Sequence, residues 1–337
     1  MPTMAQVGQS PKPTIKDIAR EAECSVRTVS RVLNHARNVN EETRARVLSV
    51  ARSRNFSPDP QAQSLKTKRK RTIGVIVNSV TSDVNRQRIE TIARLFNTAG
   101  YAILISYADE IAVEEEVARR FAARTDALVV FTNLQSPRSS VLDEFARQGF
   151  PFILVDPPVP GPYPCVEIDR AAGYREALRH LVSRGRRAMA LVIEDFRSAD
   201  RLAAYRAGLA EAGLAYDESL VLHAGKGFRG GRDAAESVLA LMRSRGVDAA
   251  LCHNDKVAAG ILSFLGDRGA RVPEEIALVG FDDDDYSAFL SPPLTTIAQG
   301  GSEVGVHIYE QLFNRLELGG SIASRTFHTS LVLRRSA

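Results

Sequence analysis

The sequence predicts two kinds of structure in one chain of 337 residues: a small all-α domain at the N-terminus, then an α/β body of two doubly wound parallel-sheet lobes. Hydrophobic periodicity is helical up to about residue 56, and at Thr72 it changes to strand-like runs that alternate with helical segments. Residues 1–71 hold 15 Lys and Arg against 6 Asp and Glu, whereas the remainder holds 29 against 34. A basic head on an acidic body is typical of a nucleic-acid-binding module joined to a domain with another task, although a merely solvated basic face has the same composition.

Three short helical patterns make up residues 1–56, the predicted head. Thr14 can cap the first helix, and Ser25 can cap a second helix over residues 26–33. Asn40 opens a third helix that packs against the other two. Two short helices joined by a tight turn and supported by a third form a helix-turn-helix unit. Its second helix would present four side chains to a DNA major groove, namely Val26, Arg27, Ser30 and Arg31.

Residues 57–71 are predicted to form a linker that contains one short helix. Asp59 can cap this helix, and Pro60 suits its first position, where a missing N–H costs nothing. The helix covers about residues 60–66 and is too short to be stable alone in water. The basic run 68–71 that follows is either a solvated tether or a phosphate contact.

The sequence from residue 72 to 337 predicts the two lobes. Apolar runs predict buried strands at 73–77, 102–106, 127–131, 152–155, 188–193, 249–252 and 276–279. The first lobe is expected to span about 72–165 with a late return of the chain, and the second about 166–295. Since ligands of doubly wound folds bind at the carboxyl ends of the strands, a ligand cleft is expected between the lobes.

No motif predicts catalysis, a cofactor or a metal site. The chain has no H-E-x-x-H, G-x-S-x-G or Walker loop, and its three cysteines, Cys24, Cys165 and Cys252, are too far apart for a zinc site or a disulfide framework. Residues 225–230 match G-x-G-x-x-G, but they lie late in the chain, away from a first βαβ unit. The acidic run 282–285 cannot turn four carboxylates toward one ion, so a solvated loop is expected there.

No membrane association is predicted either. No apolar run approaches the roughly 20 residues that cross a bilayer. The first 13 residues have neither the basic nor the apolar region of a secretory signal. A cytoplasmic, nucleoid-associated protein is therefore expected.

The run TIKDIAREAECSVRTVSRVLN, residues 14–34, resembles the head of the lactose/galactose-repressor (LacI/GalR) family, and TVSRVLN is its most specific part. The resemblance continues through nearly the whole chain, in runs such as RVPEEIALVGFDDDD and PPLTTI. It implies a DNA-binding transcriptional regulator, most simply a repressor. The body would then be an effector-binding and dimerisation domain of periplasmic-binding-protein-like fold, and a homodimer would bind near-palindromic operator DNA.

The resemblance also assigns DNA contacts. It implies that Val26, Arg27 and Arg31 read bases and that Thr28, Ser30 and Asn34 anchor the recognition helix on the backbone, with Thr14 and Ser25 at the helix starts completing the set. In the linker helix, Leu65 matches a leucine that wedges into the minor groove, and Lys66 lies beside it. The family usually has Gly where this chain has Glu23, and a non-Gly residue in a left-handed turn costs about 1–2 kcal/mol.

The effector contacts implied by position are Asp169, Arg201, Asn254 and Asp282. Carboxylates accept hydrogen bonds from hydroxyl groups whereas Arg and Asn donate them, so a sugar or sugar derivative is expected. The alternative is that these side chains make surface or hinge hydrogen bonds. The family's Asn-Pro-Phe-Phe is replaced by residues 82–85, which removes an aromatic wall, and Phe228 and Tyr286 are either substitutes for it or ordinary packing.

Two other classes of function share this fold. A transport-type sugar-binding protein would explain the lobes but not the basic head. An enzyme on a doubly wound fold would need a nucleophile and a base, and no such constellation is present in the sequence.

Overall fold

The computed structural model describes residues 13–33, 38–56, 69–79, 82–194 and 198–337. Three of the predicted DNA contacts, Asn34, Leu65 and Lys66, lie outside these ranges, as does the predicted linker helix. The chain divides into two compact units, Met1–Lys70 and Arg71–Ala337, which are described separately as the head and the body. Within the described ranges, no helix has the length and apolar character needed to cross a membrane.

The head contains three helices: α1 (Ile15–Glu21), α2 (Val26–Leu33) and α3 (Glu41–Ser53). Thr14 and Asp17 form a reciprocal capping box, in which each side chain accepts from the other residue's backbone N–H. The Ser25 hydroxyl oxygen accepts from the backbone N–H of Thr28 at 3.0 Å and so caps α2 as predicted. The three helices enclose one small apolar core. Its most buried members are Ile18, Ala22, Val29, Val32 and Val47.

The turn between α1 and α2 contains a residue with a left-handed backbone conformation, although this residue is not glycine. Glu23 has φ 49°, a conformation in which a side chain is strained. The backbone N–H of Cys24 donates to the carbonyl oxygen of Ala19 at 3.0 Å and closes the turn. The half-buried Cys24 packs against the head core, as expected of a small apolar residue.

The first lobe of the body is a six-stranded sheet in the order β11-β5-β4-β3-β1-β2, and all its described pairings are parallel. Its strands are β1 (Thr72–Val77), β2 (Ala102–Tyr107), β3 (Ala127–Phe131), β4 (Phe152–Val155), β5 (Cys165–Asp169) and β11 (Arg325–His328). Its helices are α4 (Asp83–Thr98), α5 (Ile111–Ala122), α6 (Ser140–Gln148) and α11 (Gly301–Phe313). The central strands β1, β3 and β4 are almost entirely buried because helices cover both faces of the sheet there.

The second lobe repeats this architecture in the order β12-β10-β9-β8-β6-β7. Its strands are β6 (Met189–Glu194), β7 (Val221–Ala224), β8 (Ala249–Cys252), β9 (Ala277–Asp282), β10 (Thr295–Ala298) and β12 (Ser330–Val332), of which only β12 is antiparallel to its neighbour. Its helices are α7 (Arg170–Ser183), α8 (Ser198–Glu211), α9 (Gly227–Arg245) and α10 (Asp255–Asp267). Two apolar clusters cover the two faces of the sheet.

The chain passes between the lobes after β5, after β10 and after β11. Because β5 pairs with β4 and β11, the first lobe extends to Asp169, a few residues beyond the expected boundary near 165. Helix α7 lies directly against the third crossing, since the N–H of Gly173 donates to Thr329 Oγ1 at 2.9 Å. A Cβ at position 173 would stand 2.2 Å from Ile297 Cγ2, so only glycine allows this approach.

Candidate functional site

Helix α2 separates a buried side from an exposed side. Val29 and Val32 are buried in the head core, whereas Arg27 and Arg31 are exposed and Val26 is 42% exposed. Thr28 and Ser30 are half-buried, and the hydroxyl oxygens of Ser25 and Thr28 lie 2.9 Å apart at the helix start. The structure therefore places the predicted base-reading side chains together on the outer side of α2.

The arginines of α2 differ from other arginines of the head. Arg54 pairs with Glu21 at 2.7 Å and Arg20 pairs with Asp17 at 3.0 Å, whereas neither Arg27 nor Arg31 forms an ion pair with any residue in the described part of the chain. The first turn of α2 also carries no acidic residue. The outer side of α2 thus carries two guanidinium groups that form no ion pair among the described residues, Arg27 in the first turn beside the helix N-terminus and Arg31 in the last turn. Such groups can bind phosphate and base edges.

In the body, two of the four predicted effector contacts are engaged as helix caps. Asp169 accepts from the backbone N–H of Ala171 at 3.0 Å, and its second oxygen lies 2.9 Å from His328 Nδ1. Burial raises the pKa of Asp169, but the bonds from His328 and from backbone N–H groups outweigh it, so the pKa is lowered overall. Asn254 caps α10 by accepting from the N–H of Val257 at 2.9 Å.

Asn254 also contacts Glu194, a residue that the sequence analysis did not predict as part of the site. Its side-chain amide donates to Glu194 Oε1 at 3.2 Å, and the same oxygen accepts from the backbone N–H of Gly227 at 3.0 Å. Glu194 is the last residue of β6 and is buried. A carboxylate that ends a continuous apolar strand was the signal that would have identified it.

The other two predicted contacts, Arg201 and Asp282, lie close enough to act on each other electrostatically. We call the group of charged residues around them the floor of the expected cleft. Arg201 on α8 is buried, donates from Nε to the carbonyl oxygen of His253 at 3.0 Å and places its guanidinium 4.9 Å from the centre of the Phe281 ring. Asp282 ends β9 in a strained conformation with φ 111°, and Gln299 Nε2 donates to its Oδ1. Burial raises the pKa of Asp282, and the nearby Arg201 opposes that rise.

Two further arginines lie at this floor, and neither was predicted. Arg170 forms a two-pronged ion pair with Asp156 across the lobes, with Nη1 at 3.1 Å from Oδ1. Arg88 on α4 donates to Asn85 Oδ1 at 3.2 Å and to the carbonyl oxygen of Gln299 at 3.4 Å. The helical period places Arg88 one turn after the buried Val84, and this spacing was the available signal.

Ion pairs also join the lobes at the edge of the cleft. Lys256 Nζ of the second lobe lies 2.8 Å from Asp83 Oδ2, and Arg86 Nη2 of the first lobe lies 3.2 Å from Asp285 Oδ2. Both Asp83 and Arg86 belong to the first turn of α4, and Asp83 lies in the segment 82–85 that replaces the aromatic wall. The two lobes therefore meet in this structure through charged side chains at that edge.

The acidic run 282–285 is not the solvated loop that the sequence suggests. Asp284 is only 2% exposed, and burial followed by the neighbouring carboxylates of Asp282 and Asp255 raises its pKa to about 7. Asp283 pairs with Arg334 at 2.6 Å, so the carboxylates have separate partners. No group of metal-ligating side chains occurs among the described residues.

Glycine has a packing role in the segment that matches the dinucleotide fingerprint. A Cβ at position 230 would lie 1.8 Å from the carbonyl oxygen of Gly225, which explains glycine there without a bound phosphate.

Nearby, the half-exposed Phe228 packs against Tyr286 with ring centres 5.5 Å apart. These two rings are thus in contact with each other beside the acidic run.

A helix-turn-helix head and a two-lobed body with a charged cleft define the class of DNA-binding regulators that carry an effector-binding domain. Residues 14–59 match the model for bacterial regulatory proteins of the lacI family, and residues 178–337 match that for a periplasmic binding protein-like domain. The chain is 30% identical to the HTH-type transcriptional repressor PurR of Vibrio cholerae serotype O1 (strain M66-2), covering 90% of this chain and 91% of that one. It is 31% identical to the HTH-type transcriptional regulator GalR of Escherichia coli (strain K12), covering 84% and 83%.

Solved structures agree with this assignment. The lac repressor dimer bound to operator and the anti-inducer ONPF superimposes with a TM-score of 0.82 at 25% identity, covering 97% of this chain and 99% of that one. The chain belongs to the lacI family of bacterial regulatory proteins. Its relatives are transcriptional regulators and not enzymes, so the enzyme alternative is set aside.

Proposed function

We propose that this chain is a sequence-specific transcriptional repressor that binds near-palindromic operator DNA as a homodimer. In this proposal its operator affinity is controlled by a small polar effector, a sugar or sugar derivative, bound in the cleft. Because the DNA partner is chromosomal, the proposed location is the cytoplasm at the nucleoid. The observation that carries the proposal is the two exposed arginines on α2, which form no ion pair among the described residues.

Arginine on an exposed recognition helix can bind guanine through N7 and O6 at once, which discriminates between bases. Arg27 and Arg31 have this position, and Val26 beside them can contact a thymine methyl group. The proposed backbone contacts are those of Thr14, Ser25, Thr28, Ser30 and Asn34. The proposed minor-groove contacts are Leu65 as an apolar wedge and Lys66 on the adjacent phosphate.

The proposal of a homodimer is supported by an exposed apolar strip on the first lobe. Strand β2 is at the edge of its sheet, and its outward side chains Ile105 and Tyr107 are 51% and 47% exposed. Ile111 and Val113 at the start of α5 are exposed beside them. An apolar edge strand of this kind invites association unless it is covered, and a second copy of this chain is the proposed cover.

The dimer has a direct test. Light scattering or sedimentation at micromolar concentration should give the mass of two chains, and Ile105→Asp should shift the equilibrium toward one chain. Val306→Asp, at an exposed apolar residue on α11, is the matched control and should remain dimeric. A stable monomer in the presence of DNA would contradict the proposal.

The proposed effector site uses the groups at the cleft floor. Arg201 and Asp282 supply a donor and an acceptor, which suits a ligand with several oxygen atoms. The lac repressor, which this chain resembles, has been solved in a repressed state bound to ONPG. Asp169 and Asn254 remain proposed contacts, although a ligand would have to share them with the helices that they cap.

Selection of genomic fragments by the full-length chain tests the DNA-binding function. We expect enrichment of near-palindromic fragments, whose neighbouring genes would also indicate the effector. The double variant Arg27→Ala with Arg31→Ala should lose the enrichment. Arg54→Ala is the matched control, because Arg54 is paired with Glu21 and lies at the C-cap of α3, away from α2. Equal recovery of random fragments by the unmodified chain would contradict the proposal.

A further inference from the structure

The floor of the cleft contains buried hydrogen-bond donors that have no acceptor among the described residues. Arg201 is only 5% exposed, and within the described residues its guanidinium donates through Nε alone, which leaves both Nη atoms without an acceptor. The Nε of Arg170 and the hydroxyl of Tyr174 are fully buried and have no partner in the described part of the chain. Since buried polar groups are normally satisfied, these donors leave acceptor positions that no group of the described residues fills, and a bound ligand can fill them.

The two buried arginines are close enough for the charge of one to change the pKa of the other. Burial lowers the pKa of Arg201, and the positive charge of Arg170 lowers it further. Burial, Arg201 and Arg170 also lower the pKa of His253 to about 2, although the Glu194 carboxylate lies 4.0 Å from its ring. The space beside Arg201 and Arg170 therefore has a positive potential.

The carboxylates nearby leave this potential in place. Asp156 is engaged by Arg170, and Asp282 accepts from Gln299 while lying within the field of all three arginines, Arg88, Arg170 and Arg201. Two further buried carboxylates, Asp255 and Asp284, have pKa values raised to about 7. A carboxyl group with a pKa near 7 is only partly ionised at neutral pH, so these two oppose the positive charge of the arginines less than fully ionised carboxylates would.

We propose that the effector carries a carboxylate or phosphate group and that Arg201 binds this group with both Nη atoms, beside Arg170 and Tyr174. The proposal rests on the proposed function, since it specifies the ligand of the same cleft. Arg88, held by Asn85 and Gln299, contributes positive charge from the first lobe. The other end of the ligand would donate hydroxyl groups to Asp282.

An anionic group fits this floor better than a neutral hydroxyl group. A hydroxyl oxygen can accept a hydrogen bond from Arg201, but it does not offset the repulsion between two buried guanidinium groups. A carboxylate or phosphate accepts the hydrogen bond and also offsets the repulsion between the guanidinium groups. Its hydrogen bonds to guanidinium are roughly twice as strong as neutral ones. The planar fork of arginine also matches two oxygens of such a group at once.

Matched ligands that differ in charge test the inference on the full-length chain. Calorimetry and thermal unfolding would compare glucose, gluconate, glucose 6-phosphate and inorganic phosphate. We expect the preferred anion to bind about 10- to 100-fold more tightly than glucose, as the loss of a charged hydrogen-bonded pair implies. The gluconate and phosphate ligands distinguish the two anion chemistries, because only the phosphate monoester gains charge near pH 6.

The variant Arg201→Met should abolish the preference for the anion, and Arg206→Met, an exposed arginine on the same helix, should retain it. Thermal unfolding without ligand shows whether each variant is folded, and Arg201→Lys gives a second, milder variant that keeps the charge but loses the fork. Equal affinity for glucose, or no stabilisation by any of the anions, would overturn the inference. Operator binding without ligand is measured separately: a chain that binds operator but ignores the anions loses only this inference, whereas one that binds no operator loses the proposed function.

Discussion

The arginines of α2 and those of the cleft floor carry the same charged group in opposite surroundings. Arg27 and Arg31 are exposed and have no ion pair within the described part of the chain, so they keep their hydration until a partner replaces it. Arg170 and Arg201 are buried, and their neighbours are arranged around their charge. The head thus has its binding groups on a surface that folds without them, whereas the binding groups of the body also help to hold its lobes together.

The largest effect should follow from breaking the buried ion pair between the lobes. Asp156→Ala leaves Arg170 buried without its main partner, because the other carboxylate near it, Asp200, is 3.9 Å away and half-exposed. We expect the free energy of unfolding to fall by about 3–5 kcal/mol in urea denaturation without ligand. Asp267→Ala is the control, since its pair with Arg232 is exposed and should contribute about 0–1 kcal/mol. Similar losses from both variants would show that the buried pair has no special importance.

Removing the cleft groups that face the ligand should affect the response to effector. Arg201→Ala and Asp282→Ala should each weaken ligand binding by about 2–5 kcal/mol, part of which reflects the group left unpaired. A ligand shifts a two-state regulator only through its different affinity for the two states, so the change in operator affinity on adding ligand should also disappear. Calorimetry with the anion that binds most tightly measures the first effect, and a gel shift measures the second. Unchanged ligand affinity in both variants would remove these residues from the site.

The head should show a smaller and more selective effect. Arg27→Ala is expected to weaken operator binding by about 1–3 kcal/mol and to relax the base preference at one position of each half-site. Its free energy of unfolding should not change, because the side chain is exposed and has no ion pair in the described part of the chain. Binding to a set of single-base operator variants provides the measurement. A uniform loss on every variant would instead identify Arg27 as a phosphate contact.

The same contrast explains what the sequence could predict. The exposed side of α2 follows from helical period alone, since Val29 and Val32 turn inward and Arg27 and Arg31 cannot. The apolar runs at residues 127–131, 152–155 and 249–252 became strands with those bounds, because central parallel strands are apolar on both faces. Both are local patterns.

The features that the sequence missed depend on distant partners. The short strands β7 and β11 are at or near sheet edges and contain polar residues such as His223 and Arg325, so no apolar run marks them. Arg88 and Arg170 look like ordinary helix residues in the sequence, because their partners Gln299 and Asp156 lie outside their own helices. The family resemblance pointed to Arg201 and Asp282 by their positions in the chain. The buried donors near them that lack acceptors among the described residues can be recognised only in the folded structure.

The smallest expected effect concerns the turn of the head and is a gain in stability. Glu23 has φ 49°, and glycine avoids the side-chain strain of about 1–2 kcal/mol that this conformation causes. Glycine also loses more conformational entropy on folding, which cancels part of that gain, so Glu23→Gly should stabilise the head by about 0.5–1 kcal/mol. Hydrogen exchange of amides in α1 and α2 of the full-length chain measures this gain independently of the body. Asn55→Gly is the matched control, because Asn55 has φ 50° but asparagine tolerates the left-handed region and little strain is removed. If both variants gained equally, or if Glu23→Gly exchanged faster, strain at Glu23 would not limit the stability of the turn that positions α2.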